Sequence, residues 1–440
     1  MGNLTDVLPQ ESPTVAAIMA HYKKNGESKP RDYLGASIIG AECERMLWYG
    51  FRHCANADFD GRMFRLFATG HLEEPRMIAD LRAIGCEVHE VGEDGKQFGF
   101  VAVAGHVRGH MDGCAKGIPE APEAWHVLEF KTHSAKSFAG VKGKGVKAAK
   151  PEHYAQIMAY MHLSGMHRAL YLAKNKDTDE LYAERVRYDA SEAKLIMEKA
   201  ERVVRAAMPP ERISESADDF RCKFCPAKEL CHGGTPSTPA VPLPALSCRQ
   251  CVHATPEMDT ETGRWSCALH KRSLSRRDQD KACPDHLLIP GLVRFAEAVD
   301  GDYAQGWIEY ENRSDKARWR NGKAHDQFSS ADLMIVPAKI VAAGHALPHA
   351  KEAFAGKLVG YEAAPLAQRY PLAECRQMWT GSIVDVEAAW TDAYGESPLG
   401  MPPVSEGEYV EGCRGYEYPG GRVLVVHEES GNAIILEGVE

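Results

Sequence analysis

The strongest constraint on this chain comes from two short stretches that set charges into apolar sequence. One is Gly109-His110-Met111-Asp112-Gly113; the other is Val127-Leu128-Glu129-Phe130-Lys131-Thr132-His133. Residues 107–114 and 125–132 carry the β-rich pattern of consecutive strands, with a turn-rich segment between them. Glu129 and Lys131 are two apart, so a strand points both to one face. Charges in an otherwise apolar strand are tolerated when they are paired or bound to metal. Two carboxylates and a lysine suit a divalent ion beside a phosphate: Asp112 and Glu129 as ligands, with the Phe130 carbonyl, and Lys131 beside the attacking water. Alone, the same pattern also describes a turn aspartate and two strand-surface charges.

The surrounding sequence supplies companions. Residues 62–84 read as a helix with an apolar stripe of Met63, Leu66, Phe67, Met77, Ile78 and Leu81, stopped by Gly85. It carries Gly70-His71-Leu72-Glu73-Glu74, so His71 or a glutamate is available to a metal. The spacing predicts further helices over 14–22, from a Ser37 cap through Phe51, over 153–164, and over 190–208 before Pro209-Pro210. On the helix over 153–164, Gln156 and Tyr160 share a face. Strands are expected at 86–91, 98–103, 107–114, 125–132, 169–174 and 182–188. Between them, Gly140–Lys150 reads as a polar loop, with Lys142, Lys144, Lys147 and Lys150, preceded by Lys136, and no acid among the five. Such lysines suit phosphate contact.

The order Gly-His-x-x-Glu on a helix, Gly-x-x-Asp-Gly, Glu-x-Lys and Gln-x-x-x-Tyr resembles the PD-(D/E)xK nuclease superfamily in its RecB-like and lambda-exonuclease-like branch. Met111 stands where the family usually has proline. The resemblance covers residues 35–234. It implies a restriction-endonuclease-like α/β core, a central mixed sheet flanked by helices, and a phosphodiesterase dependent on Mg²⁺ or Mn²⁺. It implies that Asp112, Glu129 and Lys131 are catalytic. His71 matches the metal-ligating histidine of the RecB branch, Glu74 the helical glutamate of the lambda-type branch, and Gln156 and Tyr160 the motif that contacts DNA and braces the site.

Eight of the thirteen cysteines form two sets. Cys222-x2-Cys225-x5-Cys231 lacks a fourth neighbour, and Cys43 lies far upstream. The same family holds a [4Fe–4S] cluster with such a distant cysteine, and the resemblance implies that role for Cys43, Cys222, Cys225 and Cys231. Four thiolates equally suit zinc. Cys248-x2-Cys251-x15-Cys267-x15-Cys283 has the opening of a zinc knuckle, with His253, His270 and His286 close enough to replace one thiol. A basic run, Leu269 to Arg277, lies between these ligands. It suits phosphate contact or a solvated face.

The expected division is therefore a nuclease domain over 1–234, a Pro-rich linker over 235–246, a Cys-rich zinc module over 247–290, and a C-terminal α+β region over 291–440 with a hairpin signal after Tyr416. No apolar run reaches the ~18 residues of a membrane span, and Met1–Val7 lacks the pattern of a secretory signal. The expectation is a cytoplasmic protein with no membrane partner. The net charge of −10 argues against a wholly DNA-coating surface but not against a local basic groove. DNA is the expected partner, with a recombination or helicase protein beside it, since no phosphate-binding P-loop of a motor occurs. The leading reading is a DNA exonuclease of the recombination and repair type. The alternatives are a catalytically idle DNA-binding scaffold and a site-specific endonuclease.

Overall fold

The computed structural model describes residues 12–26, 30–234, 238–324, 327–335 and 341, together with short strands between 357 and 437. The chain divides into two compact units. The first comprises Met1–Glu215, Phe224–Ala227 and Pro256–Trp265; the second comprises the remainder.

In the first unit the elements run α1 (Pro13–Asn25), β1 (Leu34–Gly35), α2 (Glu44–Phe51), α3 (Gly61–Ala83), β2 (Glu87–His89), β3 (Gly99–Ala102), β4 (Val107–His110), β5 (Gly113–Lys116), β6 (His126–His133), α4 (Ala135–Ala149), α5 (Pro151–Ser164), β7 (Arg168–Asn175), β8 (Leu181–Arg187) and α6 (Ala190–Arg205). The main sheet has the order β2-β5-β6-β7-β8 and is mixed, with β6 and β7 parallel and the other pairs antiparallel. A parallel pair needs a long crossover, and α4 with α5 supplies it. A smaller sheet, β1-β4-β3, stands apart.

One face of the main sheet packs Leu128, Phe130, Leu170 and Leu172 against Met77, Ile78 and Leu81 of α3. Burying that many large side chains stabilises the layer by roughly 1.5–3 kcal/mol for each one. Helix α3 starts where the Asp60 carboxylate accepts the Met63 N–H at 2.7 Å, and the chain turns beyond it at Gly85, φ 92°. The odd-numbered residues of β6 face the other way, where His153 of α5 bonds Tyr171 of β7. Helix α5 is buried continuously from Ala155 to Met161, as a central helix must be.

Three expectations are corrected. The helix expected from Ser37 begins at Glu44, capped by the Cys43 thiol, which accepts the Met46 N–H at 3.4 Å. Residues 36–40 form turns instead. They pass against α5 so closely that a Cβ on Gly40 would lie 2.6 Å from the Glu152 Cα. The single strand expected over 107–114 breaks at Met111-Asp112 into β4 and β5, which belong to different sheets. The loop expected over 140–150 is helical, interrupted at Gly145, φ 75°. Its Phe138, Val141 and Val146 are buried, and that packing overrides the weak helix propensity of three glycines.

The second unit contains α7 (Lys228–His232), a 3₁₀ turn at Cys248–Gln250, and a small sheet β11-β10-β9 built from β9 (Ala254–Pro256), β10 (Trp265–Cys267) and β11 (Arg272–Leu274). Pro256 and Trp265 of that sheet group with the first unit. Then follow α8 (Arg276–Gln279), a meander of β12 (Ala296–Asp302), β13 (Trp307–Asn312) and β14 (Arg318–Gly322), and α9 (Asp332–Ile335). In the Pro-rich segment, Val241 is buried and its N–H bonds the Leu333 carbonyl at 2.8 Å. A last sheet has the order β15-β20-β19-β18-β17, with β15 (Lys357–Leu358), β16 (Gly381–Ser382) bridging to β20, β17 (Ser405–Val410), β18 (Cys413–Tyr418), β19 (Arg422–His427) and β20 (Asn432–Glu437). The strands of the expected hairpin pair as Val423↔Leu436 and Leu424↔Ile435. The Pro419-Gly420-Gly421 turn before β19 lies outside the described residues, as does Cys375.

Candidate active site

Three elements of the first unit deliver the site. Strand β6 places Glu129 and Lys131 on one face. Glu129 is 0 % exposed, and its Oε1 accepts the Lys131 ammonium as an ion pair. Its Oε2 is buried with no hydrogen-bond partner among the described residues. Asp112 sits at the break between β4 and β5, where its Oδ2 accepts the Phe130 N–H at 2.7 Å. Helix α3 adds His71 and Glu74, one turn apart, with His71 Nδ1 3.4 Å from Glu74 Oε1. Pro75, inside the helix, has no N–H to give the His71 carbonyl.

The electrostatics show that these groups act on one another. Burial, followed by repulsion from Asp112 and Glu74 and opposed by Lys131, pushes the Glu129 carboxyl up to about 7. Asp112 is raised by burial, against the pull of Lys131 and the Phe130 N–H. Glu74 is raised by burial and by Asp112. Burial works against the Lys131 ammonium, yet Glu129, Asp112 and Glu74 hold its pKa above the ordinary lysine value. Three acids thus crowd around one lysine, an arrangement short of positive charge.

Gln156 and Tyr160 are both buried on α5. Gln156 Nε2 donates to the Tyr160 hydroxyl at 3.3 Å, and that hydroxyl donates to the His110 carbonyl at 2.7 Å. The pair thereby braces the end of β4, two residues before Asp112. Gly109 makes room for it, since a Cβ there would lie 2.7 Å from the Tyr160 ring. The neighbouring Glu73 turns elsewhere, to Lys174 Nζ at 2.6 Å, which also holds Asp179 at 2.5 Å.

The sequence reading missed a histidine–tyrosine–histidine group on the same face. The parallel register sets Tyr171 opposite Glu129. The Tyr171 hydroxyl lies 2.7 Å from His133 Nε2 and 3.0 Å from His153 Nδ1, and Ser137 Oγ is 3.1 Å from His133 Nδ1. Burial with nearby Lys150 and Lys131 pushes His133 down to about 4, and burial with Lys131 pushes His153 down to about 3, so both are neutral near pH 7. The alternation Glu129, Lys131, His133 was the available signal; Tyr171 could be placed only with the register known.

The lysines are not all available. Lys142 pairs with Glu180, and Lys147 with Glu192 at 2.7 Å. Lys136 and Lys144 are exposed on α4. Lys150 ends α4, near His133. Of the first cysteine set, Cys43 caps α2 and Cys225 belongs to the first unit, whereas Cys222 and Cys231 belong to the second. The second set, Cys248, Cys251, Cys267 and Cys283, lines one cavity of the second unit.

No family model matches the chain, and no curated protein does. Among solved structures, the protein is similar to one described as SSO0001, at TM-score 0.32 and 14 % identity, covering 50 % of this chain and 96 % of that one. It is also similar to the alkaline exonuclease LHK-Exo from Laribacter hongkongensis, at TM-score 0.28 and 13 % identity, covering 43 % of this chain and 90 % of that one. The complex of LHK-Exo with dAMP gives 0.27 and 13 %, covering 42 % and 88 %. No described helix is long and apolar enough to cross a membrane.

Proposed function

We propose that the protein is a metal-dependent deoxyribonuclease, an exonuclease of the recombination and repair type. One observation carries the reading: Glu129 is fully buried, feels the charges of Lys131, Asp112 and Glu74, and keeps one carboxylate oxygen unpartnered among the described residues. Such an oxygen fits an oxygen-liganded dication, and Mg²⁺ or Mn²⁺ is the hard ion such a set takes. Asp112 and Glu129 would hold it, with His71 or Glu74 completing the set from α3. When bound, the ion supplies positive charge against the scissile phosphate and lowers the pKa of a water.

The chain's own residues do the rest. Lys131, paired to Glu129, is fixed in place and keeps its proton, so it offsets charge developing on the phosphate and orients the water. The Phe130 N–H fixes the Asp112 carboxylate. Gln156 and Tyr160 hold the β4 end of the site, and Lys136 and Lys144 face solvent, where DNA backbone would lie. The iron–sulfur reading of Cys43, Cys222, Cys225 and Cys231 rests on their sequence spacing.

The test is hydrolysis of linear and closed circular DNA with Mg²⁺ or Mn²⁺, beside Lys131→Ala. The expected outcome is degradation of linear DNA that falls about 100-fold or more in the variant. Equal rates in both proteins sink the proposal, and cutting of closed circles replaces the exonuclease with an endonuclease.

A further inference from the structure

Within the Cys-rich segment, residues 247–255 and 266–290 of the second unit have little regular structure with which to hold themselves together. The three strands there are three residues each, preceded by a 3₁₀ turn and followed by one turn of helix. Small modules of this kind need a cross-link or a metal. Cys248 opens the 3₁₀ turn and Cys251 caps it, Cys267 ends β10, and Cys283 follows α8. All four thiols are free, although they surround one small cavity together with His253 and His270.

The groups around that cavity are set up to serve thiolates. Burial raises the Cys251 thiol, and the backbone N–H groups of His253 and Leu287 pull it back down. The His270 N–H lies 3.5 Å from Cys267 Sγ, and its Nε2 lies 3.6 Å from Cys283 Sγ. His270 Nε2 is also 3.6 Å from Asp285, which Lys323 holds at 2.5 Å. The ligand atoms of His270, Cys283 and Asp285 lie within 4.8 Å of one another. His253 is 6 % exposed, and its Nε2 is buried with no hydrogen-bond partner among the described residues. A buried imidazole nitrogen without a partner is costly, and a charged acceptor beside it removes that cost. Sulfur donors in fourfold number select zinc over harder ions.

We infer that Cys248, Cys251, Cys267 and Cys283 hold a structural zinc ion on which this module depends for its fold, with His253 and His270 donating hydrogen bonds to the thiolates. The four thiolates outweigh the charge of the ion, and N–H donors around sulfur offset that excess. The site is independent of the nuclease reading: it shares no residue with Asp112, Glu129 or Lys131.

The experiment uses the full chain, purified without added metal, with zinc measured by elemental analysis. The Cys267→Ser/Cys283→Ser double variant should hold one zinc fewer per chain than the unaltered protein, whereas His253→Ala and His270→Ala should keep it. Cobalt in place of zinc should give the charge-transfer intensity of four thiolates. Loss of the zinc in either histidine variant overturns the all-cysteine set. Unchanged zinc in the double variant overturns the site altogether. The unaltered protein gives a readout that does not depend on the variants folding. A zinc chelator should open residues 247–255 and 266–290 to limited proteolysis and added Zn²⁺ should close them again. Cleavage indifferent to both overturns the structural role.

Discussion

At the scale of single residues, the site is governed by a shortage of positive charge. Glu129 has a folded-state pKa of about 7 against an ordinary 4.5, so the folded protein binds the extra proton between those values. Metal-free stability should therefore fall as pH rises from about 4.5 to 7. Glu129→Gln should flatten that fall, seen in the denaturant midpoint against pH, while abolishing hydrolysis. Metal binding needs the carboxylate, so Mg²⁺ or Mn²⁺ affinity should rise through about pH 7 with release of a proton, which calorimetry in buffers of different ionisation enthalpy detects. Tyr171→Phe removes a hydroxyl that serves both His133 and His153, and should cost about 1–3 kcal/mol in chemical denaturation. Of the candidate site, Glu129 and Lys131 stood out in the sequence because a charge inside an apolar strand is a local anomaly, and Asp112 because it ends an expected strand before Gly113. Tyr171 was not, because a tyrosine in a β-rich run is ordinary until strand register places it across from Glu129.

At the scale of elements, α4 shows what sequence pattern conceals. Three glycines and a run of lysines read as a loop, yet the acids that neutralise Lys142 and Lys147 arrive from residues 180 and 192. A stretch without acids in sequence is thus partly neutral in space. Lys136→Ala and Lys144→Ala should each lower the salt dependence of DNA binding by about one unit of slope, and Lys142→Ala by less, measured by fluorescence anisotropy across salt concentrations. Strands β6 and β7 were readable from their short β-rich runs, Val127-Leu128 with Phe130 and Ala169 to Ala173, bounded by turn signals. The split of β4 from β5 was not, since both halves look like strand and only their partners differ. Gly109→Ala should displace the Tyr160 ring and cost about 1–3 kcal/mol in thermal unfolding.

At the scale of the whole molecule, sequence order and structural grouping diverge. Residues 256–265 belong to the first unit although the Cys-rich segment encloses them. Trp265 is fully buried there, with its ring 5.3 Å from Phe51 and the Arg52 guanidinium 4.9 Å above it. His106 Nε2 lies 2.8 Å from the Glu257 carbonyl, and Arg108 reaches Thr262 at 3.0 Å. Linear reading assigns these residues to a separate module because the cysteines on either side dominate the local pattern. Trp265→Ala should lower the stability of the first unit by about 3–5 kcal/mol, followed by the loss of near-ultraviolet circular dichroism.

The break at Met111-Asp112 gives one side chain two separable duties. Because Asp112 Oδ2 receives the Phe130 N–H, this carboxylate acts as a surrogate piece of backbone. An amide of the same shape can still accept that N–H but carries no charge. Asp112→Asn should therefore leave a well-folded, inert protein, whereas Asp112→Ala should loosen the start of β5 as well. The asparagine variant would be a means of trapping substrate on an otherwise intact surface.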